Sequence, residues 1–349
     1  MEELASNILE VIKDYRNDDG VQITIENIIG WANQFEDDAE FILNELNHII
    51  PQVYLSKENA KKLILSHIKQ SIKDYGYNSP SAFLIDTEFL DMQRDGKSQK
   101  IILELIEEVL NSEYNESYKE YLTFPKLNFI YFDDVLATGG TIGRHLVEWL
   151  SKEDAEGVTN ADKVTKGNIN LSIHLFCLHS WGHAFQKFRI KKAFTDAIDS
   201  KIKWYRNFKI ENHVKWNNQS LNIAIPTKDQ PVNAKTYLAN LSAEKYIDYA
   251  YRKEQTPKNE TFFTSSENRI KYENLLLQKG LSIIEMINGE VSPNVRPLGF
   301  VNPNYKTYGL GTHFFTWRNI PNNSPLVFWW GVEGHDWLPL FPVGNRGGF

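Results

Sequence analysis

The spacing of apolar residues divides the chain into helical stretches and short, densely apolar runs. Over residues 36–50 apolar positions recur every three or four residues, as expected for a helix with one buried face. By the same criterion, further helices are predicted over residues 7–15, 58–75, 98–110, 142–150, 234–252 and 266–287. The first 76 residues are therefore predicted to form a helical region.

Three apolar runs lack helical spacing and predict strands, over residues 82–85, 127–132 and 168–178. The second run is almost continuously apolar, which is typical of a strand buried on both faces. Strands that alternate with helices in this order favour a parallel sheet. We therefore predict an α/β fold with a mostly parallel core over residues 77–230. A helical region (1–76) precedes it, and a helical, aromatic-rich region (231–349) completes the core or the pocket.

Composition narrows the class of protein. Hydrophobic residues make up 42% of the 349 positions and charged residues 24%, which is enough apolar surface for a folded core. No apolar stretch approaches the roughly 20 residues that a membrane helix needs, and the acidic N-terminus does not resemble a signal peptide. Cys177 is the one cysteine, so no intramolecular disulfide forms. These features predict a cytoplasmic protein without a membrane partner.

Charge is unevenly distributed along the chain. Residues 1–123 carry 11 Lys and Arg against 24 Asp and Glu, whereas the remainder carries 27 against 21. An acidic protein of this kind is a poor non-specific binder of nucleic acid. The basic stretch 187–209 is predicted to be a solvated helix face, with contact to nucleic acid or an acidic partner as the alternative.

One segment combines a buried strand, two acidic residues and a small-residue loop: residues 129–141 read FIYFDDVLATGGT. Consecutive side chains on an extended segment point to opposite sides, so Asp133 and Asp134 are expected to have different roles. The loop N–H groups, the hydroxyls of Thr138 and Thr141 and the positive end of the next helix suit a phosphate. Because carboxylates repel a phosphate, the acidic pair is expected to hold hydroxyl groups or a cation. A sugar phosphate with vicinal hydroxyls satisfies both requirements.

This segment closely resembles the phosphoribosyl pyrophosphate (PRPP) signature of type I phosphoribosyltransferases. In that family the acidic pair holds the ribose 2- and 3-hydroxyls, which maps onto Asp133 and Asp134. The following loop binds the 5-phosphate and maps onto Ala137, Thr138, Gly139, Gly140 and Thr141. The resemblance implies the type I phosphoribosyltransferase fold and Mg²⁺ bound together with PRPP. The resemblance does not imply a metal site built from protein ligands alone. Asp133 or Asp134 is a candidate protein ligand of the Mg²⁺ that is bound together with PRPP.

A second candidate loop follows the first predicted strand, where this family binds pyrophosphate. It consists of Asp95, Gly96, Lys97 and Ser98. Its N–H groups and the Lys97 ammonium suit a diphosphate. It is not a P-loop, because Asp91 stands where the first glycine of that motif belongs. The alternative is a solvated turn in which Ser98 caps the helix.

Both ends of the chain resemble a phosphoribosyltransferase-like family of bacterial conflict systems. Trp31 and Gln34-Phe35 resemble its beginning, and the segments 326–329 and 337–341 resemble its end, although the arginine usual after the last segment is displaced to Arg346. The resemblance implies a role in anti-phage defence, with a protein partner such as a retron reverse transcriptase.

The leading hypothesis is transfer of a (phospho)ribosyl group from PRPP or a related nucleotide, with Asp133, Asp134 and Lys97 as the catalytic residues. Diphosphate departure creates an oxocarbenium-like centre at C1, so catalysis rests on positioning and charge stabilisation. One alternative is a catalytically inactive PRPP or nucleotide sensor. Another is a binding subunit of a defence complex. The sequence does not identify the acceptor or a general base.

Other conspicuous residues have simpler explanations. His179 and His183 are four residues apart, but the intervening residues lack a metalloprotease glutamate, so ordinary polar histidines are favoured over a zinc site. Cys177 is predicted to be an inert core thiol. The aromatics of residues 301–349 are predicted to fill a core, with Trp329 or Trp337 as candidate pocket walls.

Overall fold

The computed structural model describes residues 1–94, 97–215 and 219–343. The chain forms two compact units: unit 1 comprises Met1–Lys57 and Ile210–Phe349, and unit 2 comprises Glu58–Lys209. The N-terminal helices and the C-terminal region thus share a unit. The sequence predicts boundaries after residues 76 and 230.

Unit 1 begins with three helices and a short strand: α1 (Glu2–Ile12), α2 (Ile25–Asn33), α3 (Ala39–Val53) and β1 (Tyr54–Leu55). Hydrophobic spacing did not predict α2. Its start is defined by a capping box, in which the Asn27 N–H donates to the Thr24 hydroxyl oxygen and the Thr24 N–H donates to the Asn27 side chain.

Unit 2 alternates helices and strands. Its elements are α4 (Lys57–Asp74), α5 (Pro80–Ile85), β2 (Thr87–Phe89), α6 (Ser98–Tyr114), β3 (Asn128–Leu136), α7 (Gly140–Leu150), α8 (Asn160–Lys166), β4 (Asn170–His179), α9 (Ser180–Ala193) and β5 (Ile202–Ile210). The strands form one sheet in the order β2-β3-β4-β5. The β2–β3 and β3–β4 pairs are parallel, with Phe89 opposite Ile130 and Asp133 opposite Leu175. The predicted parallel α/β fold is confirmed.

The short apolar run 82–85 is helical rather than a strand. Ser79 caps it by accepting a bond from the Ala82 N–H, and Pro80 occupies the first helical position. Four apolar residues are too few for spacing to distinguish a helix from a strand, and the flanking cap decides. The first strand of the sheet is β2, in a stretch without apolar alternation.

The basic stretch 187–209 is not one helix face. It comprises the end of α9, a 3₁₀ turn at Asp196–Ser200 and most of β5. Two of its lysines, Lys187 and Lys191, lie 3.2 and 3.6 Å from the Asp199 carboxylate. Part of its positive charge is therefore balanced within unit 2.

The second half of unit 1 contains α10 (Val232–Asn240), α11 (Ser266–Glu285) and β6 (Phe315–Thr316). Strand β6 pairs in parallel with β1. The helix predicted over 234–252 ends early, because Leu241 adopts an extended backbone conformation. Within the described part of the tail, β6 is the one strand, where several were expected.

The aromatic residues at the two ends of the chain meet in the core of unit 1. The Trp31 indole N–H donates to the Val327 carbonyl (2.8 Å), and its ring stacks on Phe328 with centroids 5.8 Å apart. The Trp337 indole N–H donates to the same carbonyl (3.0 Å), and Gln34 exchanges two hydrogen bonds with the Leu338 backbone. The residues that carry the resemblance at the two ends thus form one cluster. Trp329 and Trp337, which the sequence suggested as candidate pocket walls, are both buried in this core.

No helix in the described ranges is long and apolar enough to cross a membrane.

Candidate functional site

Three connections of unit 2 begin at the carboxyl ends of the parallel strands. Residues 90–94 and Lys97 follow β2, residues 137–139 follow β3, and α9 begins directly after β4. Parallel α/β sheets bind their ligands at this edge. The two loops that the sequence singled out therefore follow neighbouring strands at the ligand-binding edge.

Asp133 is the buried member of the acidic pair, with 4% of its surface exposed. Ser98 Oγ donates to its Oδ1 (2.7 Å), and Gln93 Nε2 donates to its Oδ2 (2.8 Å). The Asp134 N–H and the Tyr131 hydroxyl lie 2.9 and 3.2 Å from the same carboxylate. Asp133 thus ties the segment after β2 to β3, and both of its oxygens are already hydrogen-bonded.

Burial, together with the neighbouring charge of Asp134, raises the pKa of Asp133 to about 7. The Tyr131 hydroxyl also lies 2.9 Å from His145 Nδ1, on α7. A proton on Asp133 is therefore connected through Tyr131 to a half-buried histidine. Burial lowers the pKa of His145, which favours the neutral ring that can accept from Tyr131.

Asp134 is half-buried, and its Oδ1 accepts a bond from the Val135 N–H (2.7 Å). It is the member of the pair that reaches the surface. The two aspartates occupy alternate sides of β3, as their adjacent positions predict. Because both Asp133 oxygens are engaged and Asp134 is accessible, Asp134 fits a role as an oxygen ligand for Mg²⁺ and Asp133 does not.

The loop after β3 presents backbone donors. Gly139 has φ +76°, a left-handed conformation that favours glycine, and precedes α7 as its N-cap residue. Across the described ranges, no acceptor pairs with the N–H groups of Thr138, Gly139, Gly140 or Thr141. Gly140 and Thr141 are exposed. Open N–H groups at a helix N-terminus, where the helix dipole is positive, form an environment suited to an anion.

The segment before α6 is held by amide side chains. Gln99 is fully buried; its Oε1 accepts from the Met92 and Gln93 N–H groups (2.7 and 3.0 Å), and its Nε2 donates to the Phe132 carbonyl (3.1 Å). This fixes the position from which Gln93 reaches Asp133. The sequence reasoning missed Gln93 and Gln99, because amide side chains carry no motif signal of their own.

The predicted pyrophosphate loop lies partly outside the described residues, which exclude Asp95 and Gly96. Lys97 is the N-cap residue of α6 and is exposed. Ser98 is the first helical residue, and its hydroxyl bonds Asp133 rather than capping α6. The structure thus brings Ser98 to the acidic pair.

The remaining sequence candidates are two histidines and the cysteine, and burial shifts the pKa of each. Burial lowers the pKa of His179 to about 3 and that of His183 to about 4, and the His183 ring packs edge-on against Trp204. Cys177 is buried, and burial raises the pKa of its thiol. Among the described residues, no three His, Cys, Asp or Glu side chains are grouped to hold a metal ion.

The chain matches one protein family over most of its length. The model of the PRTase-CE family matches residues 28–343, which include both acidic residues, both candidate loops and the aromatic core of unit 1. No curated protein and no solved structure matches the chain. The family match covers most of the chain, which therefore belongs to the PRTase-CE family, a phosphoribosyltransferase-like family.

Proposed function

We propose that unit 2 binds PRPP and transfers its phosphoribosyl group to an acceptor. The observation that carries the proposal is the row of open N–H groups at Thr138–Thr141, next to the acidic pair at the end of β3. These donors take the 5-phosphate. The accessible Asp134 carboxylate accepts hydrogen bonds from the ribose hydroxyls.

Asp133 has an indirect role in this proposal. It holds Ser98 and Gln93 through hydrogen bonds, so it places the start of α6 beside the ribose site. The exposed ammonium of Lys97 and the first N–H groups of α6 then meet the diphosphate.

Transfer breaks the bond between C1 and the diphosphate oxygen, and the electron pair leaves with the diphosphate. A lone pair of the acceptor forms the new bond to C1, and the acceptor releases a proton. Positive charge develops at C1, which the nearby Asp134 carboxylate stabilises electrostatically. Asp134 would be the protein ligand of a Mg²⁺ ion bound together with the diphosphate, and that ion would supply charge neutralisation on the leaving group.

The proposal is tested by titrating the ¹⁵N-labelled full-length protein with ribose 5-phosphate, then with PRPP and Mg²⁺. We expect the largest amide shifts at Thr138, Gly139, Gly140 and Thr141. Ribose without a phosphate is the control ligand and is expected to leave these signals in place. Unchanged loop signals at millimolar ribose 5-phosphate would contradict the proposal.

Diphosphate release from PRPP in the presence of candidate bases separates an enzyme from a sensor. An enzyme releases diphosphate only with its acceptor present, whereas a sensor binds PRPP without turnover. Binding without release for every acceptor tried would support the sensor alternative.

We also propose a role in anti-phage defence together with a protein partner such as a retron reverse transcriptase. Its support is the aromatic cluster of unit 1, where the residues that resemble the conflict-system family lie together. Phage plating on cells that carry the gene and its neighbours tests the role. An Asp134→Asn variant that protects as well as the wild type would separate defence from PRPP binding.

A further inference from the structure

We propose that α9 forms a second wall of the phosphate site: Arg189 binds the 5-phosphate and Gln186 positions the loop that binds it. This inference rests on the proposed function, because it concerns the same phosphate. It adds two residues that lie some 50 positions beyond the PRPP signature in the sequence.

Helix α9 is packed directly against the loop. It begins at the carboxyl end of β4, next to β3 in the sheet. A Cβ placed on Gly182 would lie 1.8 Å from the Ala137 carbonyl oxygen, so glycine is required for this approach. The first turn of α9 therefore forms the inner boundary of the loop.

Gln186 fixes the loop conformation. It is fully buried, and its Nε2 donates to the Thr138 carbonyl (3.2 Å). In a trans peptide the C=O and the following N–H point in opposite directions. Because the Thr138 carbonyl faces Gln186, the Gly139 N–H points away from the Gln186 amide.

Two glycines make room for the Gln186 side chain. A Cβ on Gly139 would lie 2.4 Å from Gln186 Nε2, and a Cβ on Gly143 would lie 1.9 Å from Gln186 Oε1. The loop at residues 137–139, α7 and α9 thus pack closely around the side-chain amide of Gln186. An apolar side chain of similar size would fill the space without holding the Thr138 carbonyl.

Arg189 places a positive charge at the first turn of α7. Its Nη1 lies 3.5 Å from Gln186 Oε1 and would lie 2.9 Å from a Cβ on Gly143. In the described ranges no carboxylate pairs with Arg189. A cation beside the positive end of a helix dipole is unfavourable unless an anion joins them. A phosphate at residues 138–141 would supply that anion.

The test compares the Kd values of ribose 5-phosphate and PRPP for matched variants of the full-length protein. Arg189→Ala is expected to weaken both ligands by the same factor, about 10- to 100-fold, the range for a hydrogen bond to a charged group. Arg189→Lys keeps the charge and is expected to lose less than Arg189→Ala. Lys192→Ala, which removes an exposed charge three residues further along α9, is the control and is expected to stay within twofold.

The outcomes separate this inference from the function on which it rests. A wild-type protein that binds neither ligand overturns the proposed function. If the wild type binds and Arg189→Ala behaves like Lys192→Ala, the proposed function stands and the role of Arg189 is wrong. A loss confined to PRPP would also overturn it, because Arg189 would then contact the diphosphate.

The role of Gln186 is tested by a double-mutant cycle with Arg189. Gln186→Leu preserves most of the volume and is expected to weaken ribose 5-phosphate binding about tenfold, beyond any change in melting temperature. In the Gln186→Leu protein, Arg189→Ala is expected to weaken ribose 5-phosphate binding by a smaller factor than it does in the wild type, because both residues act on one loop conformation. A lowered melting temperature with an unchanged Kd would show that Gln186 only stabilises the fold and would overturn its positioning role.

Discussion

The aromatic core of unit 1 and the carboxyl edge of the unit 2 sheet use their polar groups in opposite ways. In the core, the indole N–H groups of Trp31, Trp329 and Trp337 each donate to a backbone carbonyl. At the sheet edge, the N–H groups of residues 138–141 have no acceptor among the described residues. Polar groups with partners inside the protein stabilise the fold, whereas open donors in a defined loop remain available to a ligand.

The two regions also differ in what a substitution removes. A core tryptophan contributes buried apolar area and packing, whose loss is a loss of folding free energy. In the proposed function, the open N–H groups of residues 138–141 and the accessible Asp134 carboxylate contribute interactions that exist only when ligand is bound. Substitutions in the core should therefore change stability, and substitutions at the edge should change affinity.

The largest effect is expected for Trp31→Ala. Removing a fully buried indole that stacks on Phe328 is expected to lower the free energy of unfolding by about 3–5 kcal/mol. The Kd of the folded protein for ribose 5-phosphate is expected to be unchanged. Denaturant unfolding and calorimetric titration measure the two quantities. Phe188→Ala, at a side chain 59% exposed, is the control and should stay within about 0.5 kcal/mol.

Asp134→Asn is expected to show the opposite pattern. Loss of a carboxylate that accepts from ribose hydroxyls is expected to weaken ribose 5-phosphate binding by about 1.5–3 kcal/mol. The melting temperature is expected to change little, because the side chain is only half-buried. Glu148→Gln, an exposed carboxylate on α7, is the matched control. A variant that loses stability but keeps its affinity for ribose 5-phosphate would show that Asp134 stabilises the fold, as the core residues do.

Lys97→Ala sharpens the comparison within the site itself. If Lys97 meets the diphosphate, PRPP binding weakens by about 1.5–3 kcal/mol and ribose 5-phosphate binding does not change. Calorimetry with both ligands distinguishes the cases, with Lys119→Ala as a control for an exposed charge. Equal losses of affinity for the two ligands would show that Lys97 does not contact the diphosphate.

A pH-dependent effect on stability is expected from the proton on Asp133. Its pKa is raised to about 7 in the folded protein and is close to 4 in the unfolded chain, so between these values the folded state binds the extra proton. Its contribution to stability is therefore present at low pH and is lost as pH rises toward 7, by at most about 1.4 kcal/mol per pH unit. Urea unfolding of the wild type and of Asp133→Asn from pH 4 to 8 checks this. A stability difference between them that does not vary with pH would contradict the buried, protonated carboxyl.

Much of the site was visible in the sequence because its signal is local. The strand, the acidic pair and the glycine-threonine loop are contiguous, so their order alone predicts a phosphate cradle before α7. The observed element boundaries differ slightly from the predicted ones: β3 continues through the acidic pair to Leu136, and α7 begins at Gly140. The acidic pair therefore belongs to the strand rather than to the loop.

What depended on distant residues was decided by the tertiary structure. That Asp133 is the buried aspartate and Asp134 the accessible one follows from Gln93, Ser98 and Tyr131, which reach Asp133 from the segment after β2 and from β3 itself. Likewise, the need for glycine at position 143 arises from Gln186 on α9. The sequence by itself determined the fold class and the loop chemistry, because strand burial, turn residues and helix starts are properties of neighbouring positions. Packing alone decided which carboxylate is buried and which helix packs against the loop, because burial and hydrogen bonding depend on residues that only the folded chain brings together.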